Sequence, residues 1–415
     1  MIFFEPSFPA MTGGDANALP AYEHYCAQLL GYGPRLRDLF AAADAAPDCI
    51  LLNANAACLH LAFEGREGWE HAAPYLVKAG KALGIATEHE RQFCDAVAAW
   101  SRRDFNGALF RFEALARDWP ADLVAIKWGQ YHAFNLGDQA ALLRLGQIAT
   151  EHHAGKPYVH GLLAFALEQS HDLRGAEREA RLAVEVAIDD AWAHHALAHV
   201  METEGRAQEG VKWMAHCAHI WDAKGTFIRE HNWWHTALFH LALGNEAAVF
   251  EIFDGHLWGE WPEFPQEQIG AASMLWRLEL QGFDAGDRWQ PVADQARTRK
   301  DDHLFPFHDL HYLFALARCG RDGETEDFIH SLENRAGECC ENTSTAWQQA
   351  AVPAARGIVA YARGDTDNAV NHLTAAMPYL EKIGGSHAQR AIFGQTLDAA
   401  RRLTMAFEGS SNSAG

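Results

Sequence analysis

Of the 24 histidines in this chain, five are spaced so that they could act together. His195 and His199 stand four residues apart, and His231 and His235 repeat the interval. On an α-helix that spacing puts both imidazoles of a pair on one face. His311 is the fifth. It lies nine residues before Gly320, much as His195 lies ten before Gly205 and His235 nine before Gly244. If each glycine ends a helix in a regular stack, three successive layers present an imidazole at nearly the same height. Neutral imidazole is a good ligand for Zn or Fe, and two on one helix face can share an ion, although a four-coordinate site needs a third and a fourth donor. Glu202, seven residues beyond His195, and Asp309, two before His311, are acids within reach of such a group; Asp309 has a second reading as a helix N-cap.

Several chemistries are excluded by the neighbours of these residues. A zinc protease of the HExxH type needs Glu after its first histidine, and here Ala196 and Asn232 follow His195 and His231. No Gly-rich phosphate loop, G-x-S-x-G elbow or Cys/His nucleophile arrangement is visible. A purely structural role competes for every one of the five, because a core histidine bonded to a backbone carbonyl is common and Trp192, Trp233 and Trp234 beside them read as core.

The elements that must position these residues are paired helices. Between Thr87 and Ala376, apolar helical stretches alternate with short polar turns, and β-branched runs of period two are absent. The turns at Arg103-Asp104, Gly137-Asp138, His171-Asp172 and Gly205-Arg206 recur about every 34 residues, the tetratricopeptide period. Ala108, Ala141, Ala176 and Gly210 follow them at matching places, where two helices must approach closely. Histidines just before a turn then belong to the first helix of a pair, which lines the concave wall. The expected fold is all-α, an α-α superhelix of tetratricopeptide type.

Later turns at Gly244-Asn245, Gly320-Arg321 and Gly364-Asp365 keep the chemistry but lose the spacing, because an insertion rich in Trp and Pro, residues 258–265, intervenes. Residues 1–85 read as an N-terminal helical cap with helices around Ala21–Leu30, Arg35–Ala43 and Ala54–Phe63, residues 86–407 as the solenoid, and residues 408–415, small and polar, as a disordered tail. Ser386 is placed to cap a closing helix that runs to Leu403.

Bulk composition narrows the partners. Lys and Arg total 34 against 55 Asp and Glu, a formal charge of −21, which repels phosphate backbones and anionic membrane surfaces. No apolar run reaches the roughly 18 residues a bilayer span requires, and Met1–Glu5 lacks a basic signal-peptide start. The expectation is a soluble, cytoplasmic protein with no nucleic-acid or membrane partner; homo-oligomerisation stays open. The eight cysteines are scattered, without CxxC pairs, and read as reduced thiols that are mostly buried.

Six segments together resemble the tetratricopeptide repeat protein 38 family: residues 161–168 (GLLAFALE), 191–200 (AWAHHALAHV), 201–206 (METEGR), 231–235 (HNWWH), 309–311 (DLH) and 384–390 (GGSHAQR). The likeness runs from about Glu88 onward and departs at His308, where the family pattern has Asn. It implies a helical-repeat protein with family-typical polar positions at Glu168, His195, His199, Glu202, His231, Asn232, His235, Asp309 and His311, and it fixes no reaction. Two expectations follow. In one, His195, His199, His231, His235 and His311 bind a divalent metal, Zn or Fe, or a small polar ligand, with Glu168, Glu202 or Asp309 orienting imidazoles or moving protons in hydrolase or lyase chemistry. In the other, the concave wall is a non-enzymatic scaffold for a peptide. The scarcity of cations on the first helices argues against a carboxylate clamp and for a small ligand.

Overall fold

The computed structural model describes residues 10–412, with side chains as far as residue 406. Among these residues the regular structure is helical throughout and no strand occurs. The first helices are α1 (Ala18–Leu30), α2 (Asp38–Ala45), α3 (Ile50–Leu61) and α4 (Arg66–Lys81). The repeats follow as α5 (Glu88–Ser101) with α6 (Phe105–Asp118), α7 (Leu123–Asn135) with α8 (Gln139–His153), α9 (Val159–Gln169) with α10 (Leu173–Val186), and α11 (Ala191–Thr203) with α12 (Ala207–Trp221). Next come α13 (Thr226–Ala242), α14 (Glu246–Ile252), α15 (Pro265–Leu280), α16 (Trp289–Ala296), α17 (Pro306–Arg318) and α18 (Asp322–Gly337). A short helix α19 (Glu341–Ser344), α20 (Val352–Ala362), α21 (Thr366–Ala376) and α22 (His387–Asn412) complete the chain. This is the tetratricopeptide-like α-α solenoid class.

One local device makes each pair. Arg103, Gly137, His171, Gly205, Gly244, Gly320 and Gly364 all have left-handed backbone, with φ between 60 and 77°. The residue after each donates its N–H back across the turn: Asp104 to Ala99, Asp138 to Ala133, Asp172 to Leu167 and Arg206 to Met201, at 2.8–3.0 Å. That 6→1 bond is the Schellman closure, which satisfies a carbonyl left over at the helix end. Where the same residue is Asp or Asn, its side chain also starts the next helix: Asp104, Asp138 and Asp172 accept from the N–H of Gly107, Ala141 and Gly175 at 2.9 Å. Asn245 and Asp365 do likewise at 3.3 Å. Two residues thus stop one helix and cap its partner, leaving almost no slack between them.

Small side chains then let the paired helices close. Ala108, Ala141 and Ala176 are fully buried. A Cβ on Gly129 would come within 2.9 Å of Leu145 in the α7–α8 pair, and one on Gly357 within 2.7 Å of Leu373 in the α20–α21 pair.

The chain divides into two compact units: one runs to Phe134 and from Asp138 to Asn232, the other comprises Asn135–Gly137 and residues from Trp233 onward. Within the first unit Tyr32, in the loop after α1, stacks on Trp192 with ring centroids 5.4 Å apart. Lys224 donates to the Gly31 carbonyl at 3.0 Å. In the second unit the tryptophan-rich insertion is irregular from Trp258 to Phe264, and buried Glu267 gathers it by accepting from the N–H groups of Gly259 and Trp261 at 2.6 Å each. Ser386 caps α22 as expected: its hydroxyl accepts from Gln389 N–H at 3.2 Å, and the Gln389 side chain accepts from Ser386 N–H at 2.9 Å. The backbone of α22 stays helical to Asn412, five residues into the stretch expected as a disordered tail, and residues 413–415 lie outside the described residues, as do Met1–Glu5. Nothing between Glu408 and Asn412 forbids propagation of a helix already formed, since even Gly409 only weakens it.

No helix among the described residues is long and apolar enough to cross a membrane. No disulfide occurs among them either. Cys26, Cys49, Cys58, Cys94 and Cys217 are buried, Cys319 and Cys339 half-buried, and Cys340 is exposed, the one that departs from the expected pattern.

His132 on α7 illustrates what burial alone does to an imidazole. It lies against Trp100 and stacks on Phe112, and neither ring nitrogen has a hydrogen-bond partner. Burial pushes its pKa down to about 3. The folded chain therefore keeps His132 neutral where the unfolded chain, with a value of about 6.5, takes up a proton. Its contribution is complete above about pH 6.5 and is lost as pH falls towards 3; the loss at pH 5 is on the order of 2 kcal/mol. His132→Phe should therefore flatten the acid side of the stability profile, with urea midpoints at pH 5 and 7.5 closer together than in the wild-type chain. An unchanged gap would show that His132 is solvated.

Candidate metal centre

Four of the five singled-out histidines come together. His195, His199, His231 and His235 each offer a ring nitrogen, and these four atoms lie within 4.8 Å of one another. Two helices supply them, α11 and α13, each contributing an i, i+4 pair. His195, His199 and His235 are buried and His231 is half-buried. The Nε2 atoms of His195 and His199 are 3.0 Å apart with their rings nearly perpendicular. Around a Zn ion with bonds of about 2.05 Å, tetrahedral nitrogens lie about 3.3 Å apart, close to the His195–His199 separation, while the group as a whole spans up to 4.8 Å.

α11 is aimed by its cap. Asp190 accepts from Trp192 and Ala193 N–H at 3.1 and 3.0 Å, and its carboxylate lies against Gly161 of α9, where a Cβ would come within 2.7 Å of it. α13 is keyed to α11 by Asn232, fully buried, whose Nδ2 donates to the Ala191 carbonyl at 3.2 Å. That bond lies between the two histidines of α13 and sets which face of the helix meets α11. Around the imidazoles the walls are aromatic. Phe165 of α9 packs on His195 and His199, Trp192 on His195, and Phe227 stacks on His231.

Glu168, fully buried on α9, stands behind His199: its Oε2 is 3.7 Å from His199 Nδ1, while His199 Nε2 faces His195. A carboxylate on the far nitrogen is what fixes the tautomer of a metal-bound histidine. Gln169 donates to the same carboxylate oxygen at 2.5 Å. Glu202 sits two turns beyond His195, near the end of α11, and is not part of the four-histidine group.

His311 and Asp309 do not join it either. The His311 Nδ1–H donates to the Phe307 carbonyl one turn back at 2.7 Å, and the ring is enclosed by Phe307, Phe314 and Phe393. Burial holds it neutral, its pKa down to about 3. The insertion ahead of α15 interrupts the turn spacing between His235 and His311. Asp309 is not a cap. α17 begins three residues earlier at Pro306, a residue suited to a first helical position, and Asp309 bonds His303 Nδ1 at 2.6 Å. His303 Nε2 in turn meets Ser331 Oγ at 2.8 Å. Burial opposes a charge on His303, but the Asp309 carboxylate outweighs it and raises the imidazole above its ordinary value. His303 has a left-handed φ of 41° and lies in a loop, so no periodicity could have singled it out.

Most other buried histidines are locally satisfied. His89 pairs with Asp122 at 2.8 Å, His160 with Glu179 at 2.8 Å and with the Ala154 carbonyl at 2.7 Å, and His194 bonds the Ile188 carbonyl at 3.0 Å while accepting from Trp221. The group on α11 and α13 differs in kind, because the imidazoles face one another. Lys127 of α7 is a residue that sequence reasoning missed. It is a lone lysine among Val124, Ala125, Ile126 and Trp128, and that context was its available signal.

No family model matches the chain. Among solved structures it is similar to the human IFIT1 dimer with m7Gppp-AAAA, at 11% identity and a TM-score of 0.43 over 97% of this chain and 96% of that one. It is also similar to the P58(IPK) TPR domain, at 13% identity and a TM-score of 0.21 over 94% and 99%.

Asn232→Ala removes the bond that keys α13 to α11, while the Ala191 carbonyl keeps the hydrogen bond of its own helix. A loss of about 0.5–1.5 kcal/mol in urea unfolding is expected. A midpoint equal to wild type would mean that the register of these helices is set elsewhere.

Proposed function

We propose that this chain is a protein of the tetratricopeptide repeat protein 38 type in which His195, His199, His231 and His235 hold one divalent cation, Zn or Fe, that binds a small polar ligand for hydrolase or lyase chemistry. The observation that carries the reading is the convergence of four ring nitrogens within 4.8 Å in a largely buried, aromatic-walled place. Imidazoles crowded together out of water can hydrogen-bond one another only in pairs, and protonating more than one of them sets like charges side by side. A cation removes both difficulties at once.

Four equivalent nitrogens would close a tetrahedral zinc site, whereas catalysis needs an open position. The half-buried His231 is the ligand best placed to yield to water or substrate, with His195, His199 and His235 as the firm set. A bound cation would supply Lewis acidity and a more acidic water. Glu168 behind His199 would hold the tautomer that presents Nε2. The segments HNWWH and AWAHHALAHV support the family reading, because they contain all four histidines.

The test is metal content of protein made without a histidine tag, with Co(II) titration of the stripped protein. One equivalent per chain is expected, with the visible absorption of low-symmetry cobalt, and His195→Ala/His235→Ala should weaken binding at least 100-fold while the helical circular dichroism persists. If that double variant fails to fold, His231→Ala, at the half-exposed position, should still lower affinity about tenfold. Wild-type protein that takes up no more cobalt than the variants overturns the metal site and leaves the concave wall as a peptide scaffold.

A further inference from the structure

Lys127 is a cation in an unusual setting. It projects from α7 onto two aromatic faces, its Nζ 3.9 Å from the centroid of Tyr32 and 5.6 Å from that of Trp192. It is only partly exposed, and among the described residues no carboxylate lies within ion-pair distance and no hydrogen bond reaches its amine. Two other lysines of this unit, buried Lys224 and half-buried Lys78, are built differently: Lys224 has Asp189 at 2.8 Å and Lys78 has Asp44 at 2.7 Å. A lysine with rings in place of an acid loses hydration without gaining a counter-charge. Burial accordingly lowers its pKa to about 7, with the charge of Asp190 acting in the opposite sense.

The aromatic faces belong to a closed circuit. Tyr32 stacks on Trp192 at 5.4 Å, Trp192 meets His195 at 4.4 Å, His195 meets His231 at 4.8 Å, His231 stacks on Phe227 at 5.7 Å, and Phe227 returns to Tyr32 at 6.1 Å. Apart from His195, every member is half-exposed, as is Lys127, so the circuit and the amine form part of an accessible wall. Tyr32 is brought there by a backbone that a tyrosine seldom adopts, φ 51°, and is held by Gly225 N–H donating to its carbonyl at 2.7 Å. A strained residue pinned over a ring cluster marks a place the fold maintains at some cost.

We propose that Lys127 is a nucleophilic lysine that condenses with an aldehyde or ketone held on the Tyr32–Trp192 face. The neutral amine adds its electron pair to the carbonyl carbon, the carbonyl oxygen takes up a proton, and the carbinolamine loses water to leave a C=N bond to Nζ. Carbon is neither oxidised nor reduced, and one water leaves per imine formed. The rings supply a flat apolar surface for an unsaturated or aromatic carbonyl compound, and the absence of an acid partner keeps the amine available. The inference stands on the surroundings of Lys127 and holds with or without a cation on the imidazoles.

The test is reductive trapping of the full chain with benzaldehyde and sodium cyanoborohydride at pH 7, followed by peptide mass mapping. Lys127 is expected to take the label about tenfold or more faster than the exposed Lys212. Lys127→Arg, which keeps the cation, should abolish that labelled peptide and leave cobalt binding unchanged, so failure of this proposal is separable from failure of the metal site. Tyr32→Ala, which opens the amine to water, should bring Lys127 towards the rate of Lys212. If wild-type Lys127 labels no faster than Lys212, it is an ordinary cation and the proposal is overturned.

Discussion

Helix reversal through a single left-handed residue is the constraint on which the rest of this protein depends. Each turn consists of a residue with φ near 65° and a successor whose N–H closes the helix behind it. With so short a link the second helix has little choice of direction, and the alanines and glycines beyond the turn decide how near it comes. Nothing in this device concerns function. Yet without it α11 could not lie where its histidines meet those of α13, because the exit of one pair sets the entry of the next.

The histidines show how one residue type serves opposite ends in a helical stack. His132 is an apolar ring in all but name, with two unpartnered nitrogens among Trp100, Phe112 and Tyr131. His89, His160 and His194 are struts tied to a carboxylate or a carbonyl. His303 is a bridge between Asp309 and Ser331. Against these, His195, His199, His231 and His235 each bring one ring nitrogen to within 4.8 Å of the other three. The distinction rests on where the nitrogens point, and residue identity is silent on that. Lys127 follows the same logic in reverse: a residue ordinarily found with an acid or in water lies on aromatic faces instead.

Much of the fold is legible in the chain. The seven turns, the small residues after them, the capping Ser386 and the irregular stretch around Trp258 all follow from local rules that act within a few residues, and the structure contains each of them. The two i, i+4 histidine pairs are local in the same sense. His311 has the same offset from its turn as His235, and its Nδ1 bonds the Phe307 carbonyl one turn back. Asp309 had a second reading as a cap of a helix starting around Phe307–Asp309, whereas α17 starts at Pro306 with Phe305 at the cap position. His303 and Tyr32 are loop residues with left-handed backbone, where no period exists to read.

By itself, then, the sequence determined that this protein is a run of paired helices and which residues share a face of each, because hydrogen-bonded periodicity and turn chemistry are encoded within a few neighbouring residues. Only the tertiary structure decided which faces meet: that α13 turns His231 and His235 towards α11 through Asn232, that Glu168 stands behind His199, and that Tyr32 crosses from the N-terminal segment to cover Trp192 and Lys127. Those meetings depend on the phase in which helices stack, and phase is a sum of many side-chain contacts between residues far apart along the chain.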